Sequence, residues 1–230
     1  MQTPAEIYLI QRVSEILKED YNAEPKILNI GAGRSTIIES SISNMIGNKF
    51  TCDRMDVSDC YANHPVIGEC FLTSVESMPE IGSRRYDLAF ANYVLEHVTH
   101  LNKAASEIHR ILKESGCFVT SIPNPSAPEF TLSKYTSTKF HQFVKGNSEG
   151  CQAHETCYAF KNIEDFASIF EKYFSAIEIR YWSNTLGYLY KFPVTNILSR
   201  AYDRMINYLN IRTLMGDACI VFKKNGPISP

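Results

Sequence analysis

The chain has 230 residues, with 23 Lys and Arg against 25 Asp and Glu, 44% hydrophobic and 21% charged residues. This length buries roughly 70% of the unfolded surface, enough for one large domain or a domain carrying insertions. A formal charge of −2 excludes the strongly basic footprint of a dedicated nucleic-acid binder, and the apolar content excludes a disordered chain. The charge is uneven: residues 1–124 carry 11 basic and 16 acidic side chains, residues 125–230 carry 12 and 9.

Thr3-Pro4-Ala5-Glu6 has the form of a capping box with Pro at the first helical position. Ile7, Ile10, Val13, Ile16 and Leu17 then share one face, which predicts a helix from 4 to about 20. Beyond Pro25, Lys26 to Ile30 reads as a buried strand ending at Gly31, and Ser35 to Ile46 as a helix stopped by Gly47-Asn48. Phe50-Thr51-Cys52 opens a second strand, and Asn63-His64-Pro65 leaves the helix after it short or missing. Glu69 to Val75 reads as the third strand and Leu88 to Ala91 as the fourth. A helix from about His100 to Lys113 follows, with Ala104, Ala105, Ile108, Ile111 and Leu112 inward and Gly116 ending it. Cys117 to Ile122 is the fifth strand. A polar, aromatic stretch runs from Pro123 to Tyr158; Asn162 then caps a helix to Tyr173, before a strand from Ala176 to Trp182. Residues 185–210 read as helical, and Ala218 to Phe222 as the last of seven strands. Strands alternating with helices predict an α/β doubly wound, Rossmann-like sheet with helices on both faces.

Ile30-Gly31-Ala32-Gly33-Arg34-Ser35-Thr36 lies between the first strand and its helix. Glycines at such a turn allow positive φ and a close backbone approach, and a helix N-terminus favours an anionic group. Thr36 replaces the third glycine of the dinucleotide fingerprint, which argues against NAD.

Two segments carry a family resemblance: Ile27 to Gly33 (ILNIGAG), and Tyr86 to Ile122, which holds a strand, the element Leu95-Glu96-His97, a helix and a Lys-Glu-Ser-Gly turn. Together the chain resembles the class I S-adenosylmethionine (SAM)-dependent methyltransferases of the small-molecule, type 11-like branch. The resemblance implies a single domain over 1–230 with a seven-stranded, mostly parallel sheet. Insertions at 123–160 and 185–210 form its substrate cap. It implies SAM as cofactor, with Gly31, Ala32 and Gly33 on the methionine part and Asn29 in place of the usual first acid. Asp53 or Asp56 holds the ribose hydroxyls, with Asp53 preferred on spacing; Ser74 and Val75 border adenine; Asn92 and Tyr93 face the methyl-donor end. The alternative is a SAM- or NAD-binding protein of the same fold without transferase activity.

His97, His141, His154 and Tyr158 are the candidates for a general base, the last three in the stretch where the family places substrate contacts. Methyl transfer is an in-line displacement that positioning alone accelerates, so no catalytic triad is required. A Glu-x-x-Glu-His metal pattern is incomplete because Tyr93 stands at its first acid. Cys151, His154 and Cys157, with His141 nearby, lack the second tight pair of a zinc site. No metal is expected.

Within 185–210, Val194, Ile197, Leu198, Ala201, Tyr202, Met205 and Leu209 form an apolar face opposite Ser199, Arg200, Asp203, Arg204 and Asn207. The preferred reading packs that face on the domain itself, with a homodimer or a peripheral membrane contact as the alternatives. Seven cysteines, no apolar run long enough for a signal or a membrane span, and Cys52, Cys117 and Cys219 inside strands predict a cytoplasmic protein. The expected partner is a small, partly apolar acceptor rather than a nucleic acid.

Overall fold

The computed structural model describes residues 2–19, 24–128, 157–183, 185 and 193–226. Helix α1 (Pro4–Glu19) leads into strand β1 (Lys26–Ile30), α2 (Ile37–Ile46), β2 (Thr51–Asp56), β3 (Ile67–Leu72) and β4 (Tyr86–Asn92). A short turn of 3-10 helix (Leu95–His97) precedes α3 (Leu101–Ile111) and β5 (Leu112–Pro123). Then come α4 (Ile163–Phe170), β6 (Phe174–Trp182), α5 (Pro193–Leu209) and β7 (Asp217–Lys224).

The sheet runs β3-β2-β1-β4-β5-β7-β6. The first five strands are mutually parallel and β7 is antiparallel to both β5 and β6. Alternation along each strand divides the core in two. Ile27, Cys52, Leu88, Phe90, Cys117, Val119, Cys219 and Val221 face α1 and α2. Leu28, Ile30, Met55, Ala89, Phe118 and Phe222 face α3 and α4, where Phe118, Phe166, Phe170, Phe174 and Phe222 pack ring on ring. The predicted doubly wound architecture with helices on both faces is the observed one, and no helix intervenes between β2 and β3.

Several details differ from expectation. The Thr3 hydroxyl caps the Glu6 amide at 3.1 Å, but Glu6 takes its own hydrogen bond from Gln2, so only half of the capping box forms. Ile7, assigned inward by spacing, is exposed, because Tyr8 and Leu9 take the core side of that turn. Strand β3 starts two residues earlier and ends at Leu72, because Ser74 and Ser77 close a turn immediately after it. Gly116 does not end α3. The helix stops at Ile111 and Gly116 sits in an irregularity of β5, where a Cβ would meet the Lys113 and Asp87 carbonyls.

Candidate functional site

Chain order runs outward from β1 to β2 and β3, then returns to β4 on the opposite side of β1. The carboxyl ends of β1 and β4 therefore diverge at a topological switch point, the place where open α/β sheets bind ligands. The glycine turn lies there. Gly31, Ala32, Asn29, Ser35, Ile37, Ile38, Glu6 and Asn92 line a cleft of about 150 Å³. Ligand pockets usually reach ~300 Å³ or more, so this cleft has room for only one end of an extended ligand.

The turn is anchored to β2. The Gly31 and Ala32 amides both donate to the Met55 carbonyl, at 2.9 and 3.1 Å, and the Gly33 amide donates to Asp56 Oδ2 at 2.9 Å. Asp56 Oδ1 accepts from the Ser58 amide and hydroxyl, both at 2.9 Å. A carboxylate offers about four acceptor sites, and three are occupied, so one remains for an incoming hydroxyl.

Beneath the turn lies a buried ion pair that sequence reading missed. Arg54 Nε sits 3.0 Å from Glu39 Oε1, both side chains fully buried, while Arg54 Nη2 donates to the Ala32 and Ser35 carbonyls. Asn29 Nδ2 donates to the same Glu39 oxygen at 2.8 Å. Asn29 thus spends one amide hydrogen below the turn, and its carbonyl oxygen is the atom it can offer an ammonium group. A usable signal was present: an arginine within the buried strand Thr51–Asp56 requires a buried acid, and Glu39 on the adjoining helix is the candidate.

The two glycines have different roles. Both hold positive φ, +69° at Gly31 and +54° at Gly33. A Cβ at Gly31 would overlap the Val94 side chain, whereas a Cβ at Gly33 meets nothing within 4 Å. Gly31 is therefore required by packing inside the protein, and Gly33 is the glycine whose open side can admit a ligand.

The structure sets Asp53, preferred on spacing, away from the glycine turn. Asp53 is fully buried in β2, where Oδ2 accepts from Arg85 and the Tyr86 hydroxyl, both at 2.8 Å, and lies 3.1 Å from Lys26 Nζ. Its Oδ1 accepts from the Glu69 amide at 2.9 Å. Strand parity explains the outcome: Asp56 shares its face with Arg54, on the side of the turn and α2, and Asp53 points to the other face.

The remaining candidates divide. Asn92, at the end of β4, lines the cleft and accepts from the Ser121 hydroxyl. Tyr93 adopts φ 54°, its amide donates to the Ser121 carbonyl, and its hydroxyl bonds Thr3 Oγ1 at 2.8 Å, tying β4 to the start of α1. Val75 is buried in the core, so only its backbone is available to a ligand, and the Ser74 hydroxyl accepts from the Glu76 amide. His97 ends the 3-10 turn between β4 and α3, its side chain 31% exposed. The Tyr158 amide donates to the Glu96 carbonyl at 3.0 Å. Burial, with the Glu96 and Asp217 carboxylates nearby, pushes the Tyr158 phenol well up. His141, His154 and Cys151, and most of the 123–160 insertion, lie outside the described residues.

Known proteins match this arrangement. Residues 28–120 fit the family model described as a methyltransferase domain. In fold, the chain is similar to a chain from the complex of the Haloferax volcanii Trm112 methyltransferase activator (TM-score 0.63, 11% identity, 97% of this chain and 91% of that one covered). It is similar to the Haemonchus contortus phosphoethanolamine N-methyltransferase 2 in complex with S-adenosyl-L-methionine (0.56, 15%, 96% and 52%). It also resembles the YcgJ protein from Bacillus subtilis (0.56, 14%, 96% and 99%). At these identities the likeness shows the fold. No curated protein matches the chain in sequence. Residues 28–120 thus match a methyltransferase domain, and the fold around them is shared with a solved N-methyltransferase that holds S-adenosyl-L-methionine.

Proposed function

We propose that this chain transfers the methyl group of SAM to a small acceptor at the carboxyl ends of β1 and β4. The observation that carries the reading is the glycine turn at the switch point, with the Asp56 carboxylate on the Gly33 amide and one acceptor site to spare. In this reading Gly33 admits the methionine part, Asn29 accepts its ammonium through the carbonyl oxygen, Asp56 takes a ribose hydroxyl, and the 73–78 turn borders adenine with Ser74 and the Val75 backbone. The open face at Gly33 and the unspent acceptors of Asn29 and Asp56 suit such a ligand.

When bound, SAM supplies an electrophilic methyl on a sulfonium that leaves as a neutral thioether. The protein's part is then to hold the acceptor nucleophile in line and keep water out, which requires no covalent catalyst. Asn92 and Tyr93 border the reacting end. His97 is the described candidate for receiving the acceptor's proton; His141 and His154 belong to the same proposal, and Tyr158 can donate a hydrogen bond to the acceptor. The 123–160 and 185–210 insertions are assigned to the acceptor.

The test is transfer of labelled methyl from SAM to a panel of phenols, amines and carboxylates, with protein and RNA in parallel. Label in a small acceptor, with equal formation of S-adenosylhomocysteine, supports the reading. Label in a macromolecule alone overturns the acceptor class, and SAM binding without transfer to any acceptor favours the inactive binder.

A further inference from the structure

Helix α5 turns over relative to its expected orientation. The face that packs on the domain contains Ser199 and Ile206, both buried, with Tyr202 and Asp203 half-buried beside them. Polar ties hold it there: Asp203 Oδ1 accepts from the Ser183 hydroxyl at 2.6 Å and the Thr185 amide at 2.9 Å, and Asn207 Oδ1 accepts from the Ser183 amide at 3.0 Å. The apolar residues at Ile197, Met205 and Leu209 therefore point to solvent, 73%, 51% and 53% exposed, and Tyr208 beside them is 88% exposed. At 100° per residue these four and exposed Ala201 form one stripe, bordered on one flank by exposed Arg200 and Arg204.

We infer that this stripe seats the protein on an anionic lipid surface. The charge pattern selects that occupant. Asp203 is the only acid in α5, and it is turned inward onto Ser183 and Thr185. The outward face thus combines apolar side chains, an exposed tyrosine and two arginines without a countercharge of its own. An interfacial helix has this composition, with the apolar stripe in the headgroup boundary and the basic flank on acidic headgroups. A second copy of the chain suits it poorly, because a two-fold contact sets the patch against itself and brings like arginines together.

The position of α5 gives the contact a consequence. Strand β6 ends at Trp182 opposite Asp217, which also pairs with Pro123 at the end of β5, so α5 leaves the sheet at its carboxyl end. Asn124 Nδ2 donates to the Met215 carbonyl at 2.9 Å, tying the segment after α5 to that same end. Docking through α5 brings the crevice end of the sheet to the lipid surface.

The test is co-sedimentation of the full chain with vesicles of phosphatidylcholine alone and of phosphatidylcholine with phosphatidylglycerol, without methyl donor or acceptor, so that it stands apart from the proposed function. The expected result is sedimentation with the anionic vesicles only. Arg200→Glu with Arg204→Glu should weaken it tenfold or more, as should Ile197→Ser with Met205→Ser, while Arg84→Glu, at the opposite end of the sheet, leaves it unchanged. All variants should melt like the parent, since every substituted side chain is exposed. Equal sedimentation with both vesicle types, or none with either, overturns the inference. So does a concentration-dependent dimer that Ile197→Ser with Met205→Ser dissociates.

Discussion

Gly31 and Gly33 stand two residues apart in one turn, yet different neighbours constrain them. At Gly31 the Val94 side chain occupies the space a Cβ needs; at Gly33 that space is open. Gly31→Ala should therefore destabilise the fold by roughly 2–4 kcal/mol, from left-handed strain and overlap together. Gly33→Ala should cost only the strain, roughly 1–2 kcal/mol, and show its main effect in cofactor affinity. Urea denaturation of both variants with S-adenosylhomocysteine titrations alongside separates the two; equal stability losses would contradict the assignment. The acids of β2 divide in the same way. Asp53→Ala leaves Lys26, Arg85 and the Tyr86 hydroxyl without their shared acceptor, and the predicted result is a loss of roughly 3–5 kcal/mol with S-adenosylhomocysteine affinity unchanged. Unaltered stability would show that the cluster contributes little.

At the scale of elements, the 73–83 connection is braced by α3. Glu107 accepts from the Met78 amide at 2.7 Å and from Arg110, whose guanidinium also donates to the Met78 and Ile81 carbonyls at 2.8 Å. The hydrogen bonds from Arg110 hold the Glu107 carboxyl below its usual range, outweighing burial. An acid depressed in the folded state is protonated first in the unfolded chain, so its stabilisation is complete above the ordinary carboxylate range and is lost as pH falls through the folded value. Glu107→Gln should cost roughly 1–2 kcal/mol at neutral pH and leave a smaller acid-induced loss between about pH 5 and 3. Denaturation midpoints at both ends of that window measure it; parallel pH curves for parent and variant would contradict the brace.

Element type and order were legible in sequence wherever apolar periodicity met a cap or a glycine, as at Asn162, whose side chain accepts from the Asp165 amide at the start of α4. Orientation was less so. Spacing finds the apolar side of α5, but Ser183 and Thr185 lie outside the helix and decide through Asp203 and Asn207 which side turns inward. The glycine turn was legible because backbone approach demands glycine. The choice between Asp53 and Asp56 was not, because it depends on which face of β2 meets α2.

Across the whole molecule, the unequal charge of the two halves follows the architecture. The acidic half supplies β1 to β5 with the glycine turn, and the basic half adds the last two strands together with α4 and with α5, whose Arg200 and Arg204 face outward. Among the described residues no helix is long and apolar enough to cross a membrane. A buried Arg54–Glu39 pair holds the turn from below, and β4 returns beside β1 so that Asn92 faces the same cleft. The central claim is that this switch point, with Asp56 on the ribose, is the SAM site. Calorimetric titration of S-adenosylhomocysteine into the parent chain and Asp56→Ala tests it most directly. Saturable binding to the parent is expected, with affinity lowered roughly 10- to 100-fold in the variant, the effect of a lost hydrogen bond to a charged group. Equal affinity in the two proteins, or a parent chain that binds NAD in place of S-adenosylhomocysteine, would contradict it.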